Sequence, residues 1–420
     1  MSGKLTEVER RILGEVYSSS EAMENLTVLC DDFGGRVAGT PENRAAAEFI
    51  LGMFEEYGFE DLHLEAFRFL GCETGPSTLE VVKPTKKYIP CLTPPMTASG
   101  VSKADLVYLG DVSDIDEDDV EGKIVLGQVR PPMIRSSEAG VEGFIWMHPY
   151  PAMGPPTGCV HSAMPAVSVK YEDGEMLRRL LERHGSLTVR VEAECRKFDM
   201  ESWNVCGEVP GNGGSDDYIL LGGHYDGHEI AQAAFDCGSA CAAVTEMGRI
   251  LNGVRDHLDR SVRIVCFSAE EFGCWGSKDY VQRHATEMVN LRFTYQLDCC
   301  AGGGSQMVTL DHWPELEPFF QRLAEDLNMH IPLDQRRGPG DSRAFSELGI
   351  PNGSICDYRL PGMLELLKTY RHTAYDTLDK IDIRSLREVV AIGAVSGLRM
   401  TNADEWPGHR SSEEVEEIKR

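Results

Sequence analysis

From Trp203 to Leu327 the chain alternates short apolar runs with stretches of helical periodicity. Tyr218-Ile219-Leu220-Leu221, Val262 to Phe267 and Leu291 to Asp298 have the length and texture of buried strands. Cys237 to Leu251, the run from Trp275, and Glu315 to Leu327 carry apolar residues at helical spacing. Strands alternating with helices imply a mainly parallel sheet within a mixed α/β fold, with helices on both faces. In such sheets ligands gather beyond the carboxyl ends of the strands. The residues found at those ends are His224, Glu270, Glu271 and Asp298.

Joined by Asp236 and His372, these residues carry a definite chemistry. His224, Asp236, Glu271, Asp298 and His372 are two imidazoles and three carboxylates. That donor set suits a pair of zinc ions, and cobalt or manganese would fit it too. Glu270, beside Glu271 in Ser268-Ala269-Glu270-Glu271-Phe272-Gly273, supplies a general base. Metals that acidify water, with a carboxylate to take its proton, are what metal-assisted hydrolysis requires.

Each residue also has a plainer reading. Asp226, two residues after His224, can hold the imidazole nitrogen turned away from a metal, or simply pair with a strand-end histidine. Asp236 precedes a helix, where aspartate commonly serves as N-cap, yet a carboxylate there could equally bridge two ions. Asp298 could be no more than a strand-end cap, and a lone loop histidine such as His372 usually carries no function. Glu270 and Glu271 resist the plain reading, because adjacent carboxylates ending an apolar strand repel unless a cation sits nearby. His63, His184 and His257 read as ordinary histidines, and His228, between two proposed ligands, stays undecided.

Composition narrows the partners. A net charge of −27 would repel nucleic acid and anionic membranes. The first residues have no apolar leader, and no segment approaches a membrane span. The 13 cysteines lack any C-x-x-C spacing, so they read as reduced, buried small hydrophobes. The expected compartment is the cytoplasm. A homodimer is admitted but not required.

N-terminal to this region, Pro41 and the periodic residues between Glu42 and Gly58 predict a helix, followed by a strand over His63 to Phe69. From about Pro90 the texture becomes short β runs at 104–109, 122–127, 143–147 and 165–169, with helices around Glu138-Ala139-Gly140 and over Leu177 to Leu181. These landmarks resemble the protease-associated domain, a β-rich insert of several peptidase families. The expected division is a catalytic domain at 1–89 and 196–410, an insert at 90–195, and a charged tail at 411–420.

The ordered set Gly223-His224-Tyr225-Asp226, Asp236, Ala269-Glu270-Glu271-Phe272-Gly273 with Gly276-Ser277, Asp298, and His372 with Asp376-Thr377 resembles the zinc exopeptidase family of bacterial leucyl aminopeptidases and glutamate carboxypeptidases. Glu229 to Asp236 and Gly338 to Asp341 are similar to the loops of a dipeptide-cleaving branch. The resemblance implies that Asp236 bridges two metals, with His224 and Asp298 on one and Glu271 and His372 on the other. It further implies Glu270 as the base, Asp226 as the orienter of His224, and a cis bond between Asp236 and Cys237. Tyr370 or Arg371 would polarise the scissile carbonyl, or Arg371 would hold a substrate carboxylate. The residue after the bridging aspartate is often Asn or Asp in the family and is Cys237 here. The implied activity is exopeptidase action on short peptides, as an aminopeptidase or dipeptidase. Carboxypeptidase action, glutaminyl cyclase-like acyl transfer and a receptor-like role are the alternatives.

Overall fold

The computed structural model describes residues 5–110, 120–128, 130, 140–336, 338, 340–357 and 370–419. The chain forms two compact units. One comprises Met1–Phe69, Glu201–Leu364 and Asp376–Arg420; the other comprises Leu70–Met200 and Glu365–Tyr375. The divisions fall at 69/70 and 200/201, within the two long strands Glu60–Lys83 and Thr188–Val209.

In the first unit the centre of the sheet is parallel. Tyr218–His224 pairs in parallel with Ser261–Phe267 on one side and Leu291–Leu297 on the other. Leu291–Leu297 pairs in parallel with Asn352–Asp357. Antiparallel partners flank this centre: Val205 to Val209 against Ser261–Phe267, and Gln306–Thr309 against Asn352–Asp357. The sheet is therefore mixed with a parallel middle, as the alternation predicts. Tyr218–His224 is buried along its whole length, which is why it reads as a continuous apolar run.

Alternate residues of that strand serve opposite faces. Tyr218 and Leu220 join Cys206, Val265, Phe267, Tyr280 and Phe345 in one apolar cluster. On the other face, Ile219 lies beneath Gly397 of the helix Ile383–Thr401, which itself meets the helix Ser239–Asn252 where Gly393 admits Met247. Parallel strands expose all their carboxyl ends at one edge, and the register makes this concrete. His224 lies opposite Phe267, and Gly223 opposite Leu297, so the residues that follow these strands emerge together.

The second unit is β-rich. The strand Gly100–Gly110 pairs antiparallel with the start of Thr188–Val209 and parallel with Ile124–Gly127. Gly143–Met147 and Ala166–Val169 continue in parallel order, and the helix Tyr171–His184 follows. Its core holds Leu106, Ile124, Ile145, Val167 and Leu177. Glu138 and Ala139 of the expected helix lie outside the described residues. Ser412–Ile418 in the tail is a helix with a capping box at Ser411, and Val415 is its buried residue. Among the described residues no helix is long and apolar enough to cross a membrane.

Arg36 organises the loop that leads to Asp236. Its side chain is buried, and its guanidinium donates to the carbonyls of Tyr225 (2.7 Å), Leu29 (2.7 Å), Gln232 (3.0 Å), Ala233 (2.9 Å) and Gly34. A planar fork can satisfy carbonyls arriving from several directions; a single ammonium cannot. Arg36→Met should lower the free energy of unfolding in urea by about 3 kcal/mol or more, because buried carbonyls lose their donors. Arg36→Lys should recover less than half of that loss. A Met variant within about 1 kcal/mol of the parent would mean that these carbonyls are satisfied in another way.

Candidate metal centre

His224, Asp236 and Asp298 come together at the edge where the parallel strands end. His224 Nε2 lies 3.3 Å from Asp236 Oδ1 and 3.9 Å from Asp298 Oδ1. With the Cys237 sulfur, their donor atoms all lie within 4.8 Å of one another, and all four residues are buried. His224 Nε2 and Asp298 Oδ1 are buried polar atoms that make no hydrogen bond among the described residues. Ligands at about 2.0–2.2 Å from one tetrahedral ion stand roughly 3.3–3.6 Å apart; the His224–Asp236 edge matches this, and the His224–Asp298 edge is a little wider. The residues present therefore fit a metal ion.

The rest of the imidazole is anchored. His224 Nδ1 lies 3.1 Å from the backbone carbonyl of Asp226 and 3.5 Å from its carboxylate. The Asp226 carboxylate is engaged elsewhere: it accepts the backbone N–H of Glu270 (3.2 Å) and of Glu271 (3.3 Å). One residue thus sets both the ring of His224 and the turn that carries the paired glutamates.

Asp236 is not a helix cap. The helix Ser239–Asn252 begins after Gly238 with no side-chain cap, and Asp236 sits in the irregular turn before it. The Asp236–Cys237 peptide bond is cis, as the family resemblance implies. The turn is held from below by Asp376, whose carboxylate accepts the N–H of Phe235 (2.7 Å) and of Asp236 (3.0 Å). Burial outweighs these bonds and pushes Asp376 up to about 7.

Glu271 is buried and lies 2.9 Å from Nε2 of His228, which is buried as well. Burial drives Glu270 well above the ordinary carboxylate range; His224 opposes this, and the charges of Glu271, Asp298 and Asp341 add to it. Asp341, which accepts a 2.5 Å bond from Ser277, is raised by burial to about 7. Gly340 presses on the base: a Cβ there would lie 2.1 Å from Glu270 Oε1.

Tyr370, Arg371 and His372 belong to the second unit. His372 Nδ1 lies 3.1 Å from the Thr157 carbonyl and 2.9 Å from Nη2 of Arg130. Tyr370 is buried, and its carbonyl accepts the hydroxyl of Thr373 at 2.6 Å.

Sequence reasoning assigned no role to Cys237, Arg36 or Asp341, and left His228 open. The Cys237 thiol, pushed by burial up to about 12, stands among the donors only because of the cis turn's shape. Only the position of Asp341 beside Gly340 in a motif loop hinted at its place.

Residues 204–395 match the profile of Peptidase family M28. Over that region the chain is similar to peptidase family M28. Carboxypeptidase Q of Bos taurus is 23% identical over 428 residues, covering 93% of this chain and 88% of the relative. The crystal structure of a peptidase M28 precursor from Shewanella amazonensis superposes with a TM-score of 0.83 at 20% identity, covering 96% of this chain and 98% of that one. BSAP, a zinc aminopeptidase from Bacillus subtilis, gives 0.71 at 21% identity, covering 89% and 94%. The matched M28 region holds every strand-end residue described above, from His224 to Asp298.

Two outcomes test this centre. Adding zinc to metal-free protein should raise the unfolding midpoint, since ligand at 100 times its Kd contributes about 2.7 kcal/mol, and Asp298→Asn should remove most of the rise. A flat response in the parent would sink the metal reading. Gly340→Ala should lower kcat at least tenfold while leaving metal content intact, because the added methyl displaces the Glu270 carboxylate; an unchanged kcat would mean that Oε1 is not used.

Proposed function

We propose that the protein is a two-metal zinc exopeptidase that hydrolyses short peptides near an end, as an aminopeptidase or dipeptidase. The observation that carries this reading is the single hydrogen-bonded unit linking base and ligands: Asp226 holds the ring of His224 and the backbone of both Glu270 and Glu271. In this reading His224 and Asp298 would hold one ion, Glu271 and His372 a second, and Asp236 would contribute to both. Bound there, the ions would acidify water and polarise a carbonyl.

The chain's own groups perform the proton chemistry. Glu270, with its carboxyl raised by burial, takes a proton from the attacking water and returns it to the leaving amine. Asp226 keeps that carboxylate and His224 in fixed relation, so the base does not have to be reoriented between steps. Tyr370 or Arg371 donates to the developing oxyanion, or Arg371 binds a substrate carboxylate. The name of carboxypeptidase Q and the description of BSAP as a zinc aminopeptidase support an exopeptidase with zinc.

Glu270→Gln should reduce turnover by a factor of about 10²–10⁴ with metal content unchanged, measured by rate assay beside elemental analysis. Activity that survives would reassign the base. Mass spectrometry of short peptides with free and acetylated amino termini separates the directions of cleavage. Stepwise loss from free amino termini alone is expected; loss from the carboxyl end regardless of acetylation would make Arg371 a carboxylate anchor, and no cleavage of any peptide would overturn the reading.

A further inference from the structure

A second set of donors converges in the first unit, built from residues the peptidase chemistry does not use. His63 and Glu65 are two apart on the strand Glu60–Lys83, so both face one side. Cys206 lies on the strand Thr188–Val209, and His284 follows the helix Trp275–Arg283. A sulfur, a ring nitrogen and a carboxylate oxygen from Cys206, His63 and Glu65 lie within 4.8 Å of one another. His284 Nε2 reaches the same Glu65 oxygen, Oε1, at 2.6 Å, and His63 Nε2 reaches it at 3.2 Å.

The outer nitrogens of both rings are also held. His63 Nδ1 lies 2.8 Å from the Asp61 carbonyl, and His284 Nδ1 lies 3.2 Å from Glu287 Oε1. Every ring nitrogen therefore faces an acceptor. A neutral imidazole has one proton and can satisfy only one acceptor, so its second nitrogen would set a lone pair against a lone pair. Either the rings are imidazolium and share the Glu65 carboxylate, or a cation stands among His63 Nε2, the Glu65 carboxylate and the Cys206 sulfur. In the second case His63 keeps its Nδ1 proton on the Asp61 carbonyl and offers Nε2 as a ligand. Such outer-acceptor bonds regularly accompany metal-bound histidine.

Surrounding features agree with a cation. Glu65 is 5% exposed, and its other oxygen, Oε2, is buried and makes no hydrogen bond among the described residues; the guanidinium of Arg283 stands 3.8 Å from it. A cavity of about 80 Å³ opens among His63, Cys206 and His284. Arg263, which also lines it, is neutralised by Glu208 (3.0 Å) and Glu287 (2.6 Å). The side chain of His63 is 39% exposed, which leaves a path from solvent.

We propose that His63, Glu65 and Cys206 form a site for a thiophilic divalent cation of the zinc type, with His284 positioning Glu65. One nitrogen, one oxygen and one sulfur fill three of the four positions of a tetrahedral ion. On binding, the Cys206 S–H bond breaks, its proton leaves to solvent, and a sulfur–metal bond forms. The 3.2 Å edge between His63 and Glu65 matches the roughly 3.3 Å expected between ligands. The ion would tie the strand Glu60–Lys83 to the strand Thr188–Val209.

The test uses the full-length chain reconstituted with cobalt(II) and, separately, zinc. In a Cys237→Ala background, which removes the sulfur at the other centre, the chain should show a near-ultraviolet sulfur-to-cobalt charge-transfer band that Cys206→Ser abolishes. Cys206→Ser and His63→Ala should each retain one equivalent of zinc less than the parent by elemental analysis, with peptide hydrolysis at saturating metal within twofold. His63→Ala changes a partly exposed ring and keeps the test open should the cysteine variant fold poorly. A band that survives Cys206→Ser, or equal zinc content in parent and His63→Ala, would overturn the proposal and leave a proton-linked carboxylate–histidine cluster.

Discussion

Buried negative charge at one sheet edge is the constraint on which the first unit depends. Asp226, Asp236, Glu271, Asp298 and Asp341 are all nearly inaccessible, and Glu270 leans into the same space. Carboxylates removed from water cost several kcal/mol each unless they find cations or strong donors. Two of the neighbouring bases are histidines, His224 and His228, which ordinarily carry little charge near neutrality. An apolar, parallel scaffold tolerates such a cluster only as a place built for positive charge.

The scaffold spends much of its polar detail on the backbone around that charge. Asp226 caps the turn bearing the paired glutamates, Asp376 holds the amides entering the cis turn, and Arg36 gathers the carbonyls between them. These are supports one layer behind the donors. Each replaces water at a buried backbone group, so each stiffens the loop that it satisfies. Loops alone would leave the donors free to part under their own repulsion.

Much of this was legible in the sequence because buried parallel strands and amphipathic helices leave different periodicities. Asp298 and the Glu270-Glu271 pair sat at strand ends that apolar runs made visible. Asp236 was ambiguous for a physical reason: a carboxylate just before a helix looks the same whether it caps the helix or turns away from it. The unit boundaries were hidden because strands Glu60–Lys83 and Thr188–Val209 keep one periodicity through the division. His63, Glu65, Cys206 and His284 come from three separate stretches of chain, with no motif to join them.

The sequence by itself determined the α/β class, the order of strands and helices in the central region, and the residue types able to bind and activate water. Those follow from local periodicity and from the chemistry of each side chain. Only the tertiary structure decided which donors meet, that Cys237 and His228 stand among them, and that Arg36 and Asp376 hold the turn. Convergence of that kind depends on strand register and on hydrogen bonds between residues far apart in the chain, for example the 140 positions separating Asp236 from Asp376. Local sequence carries no record of such pairings.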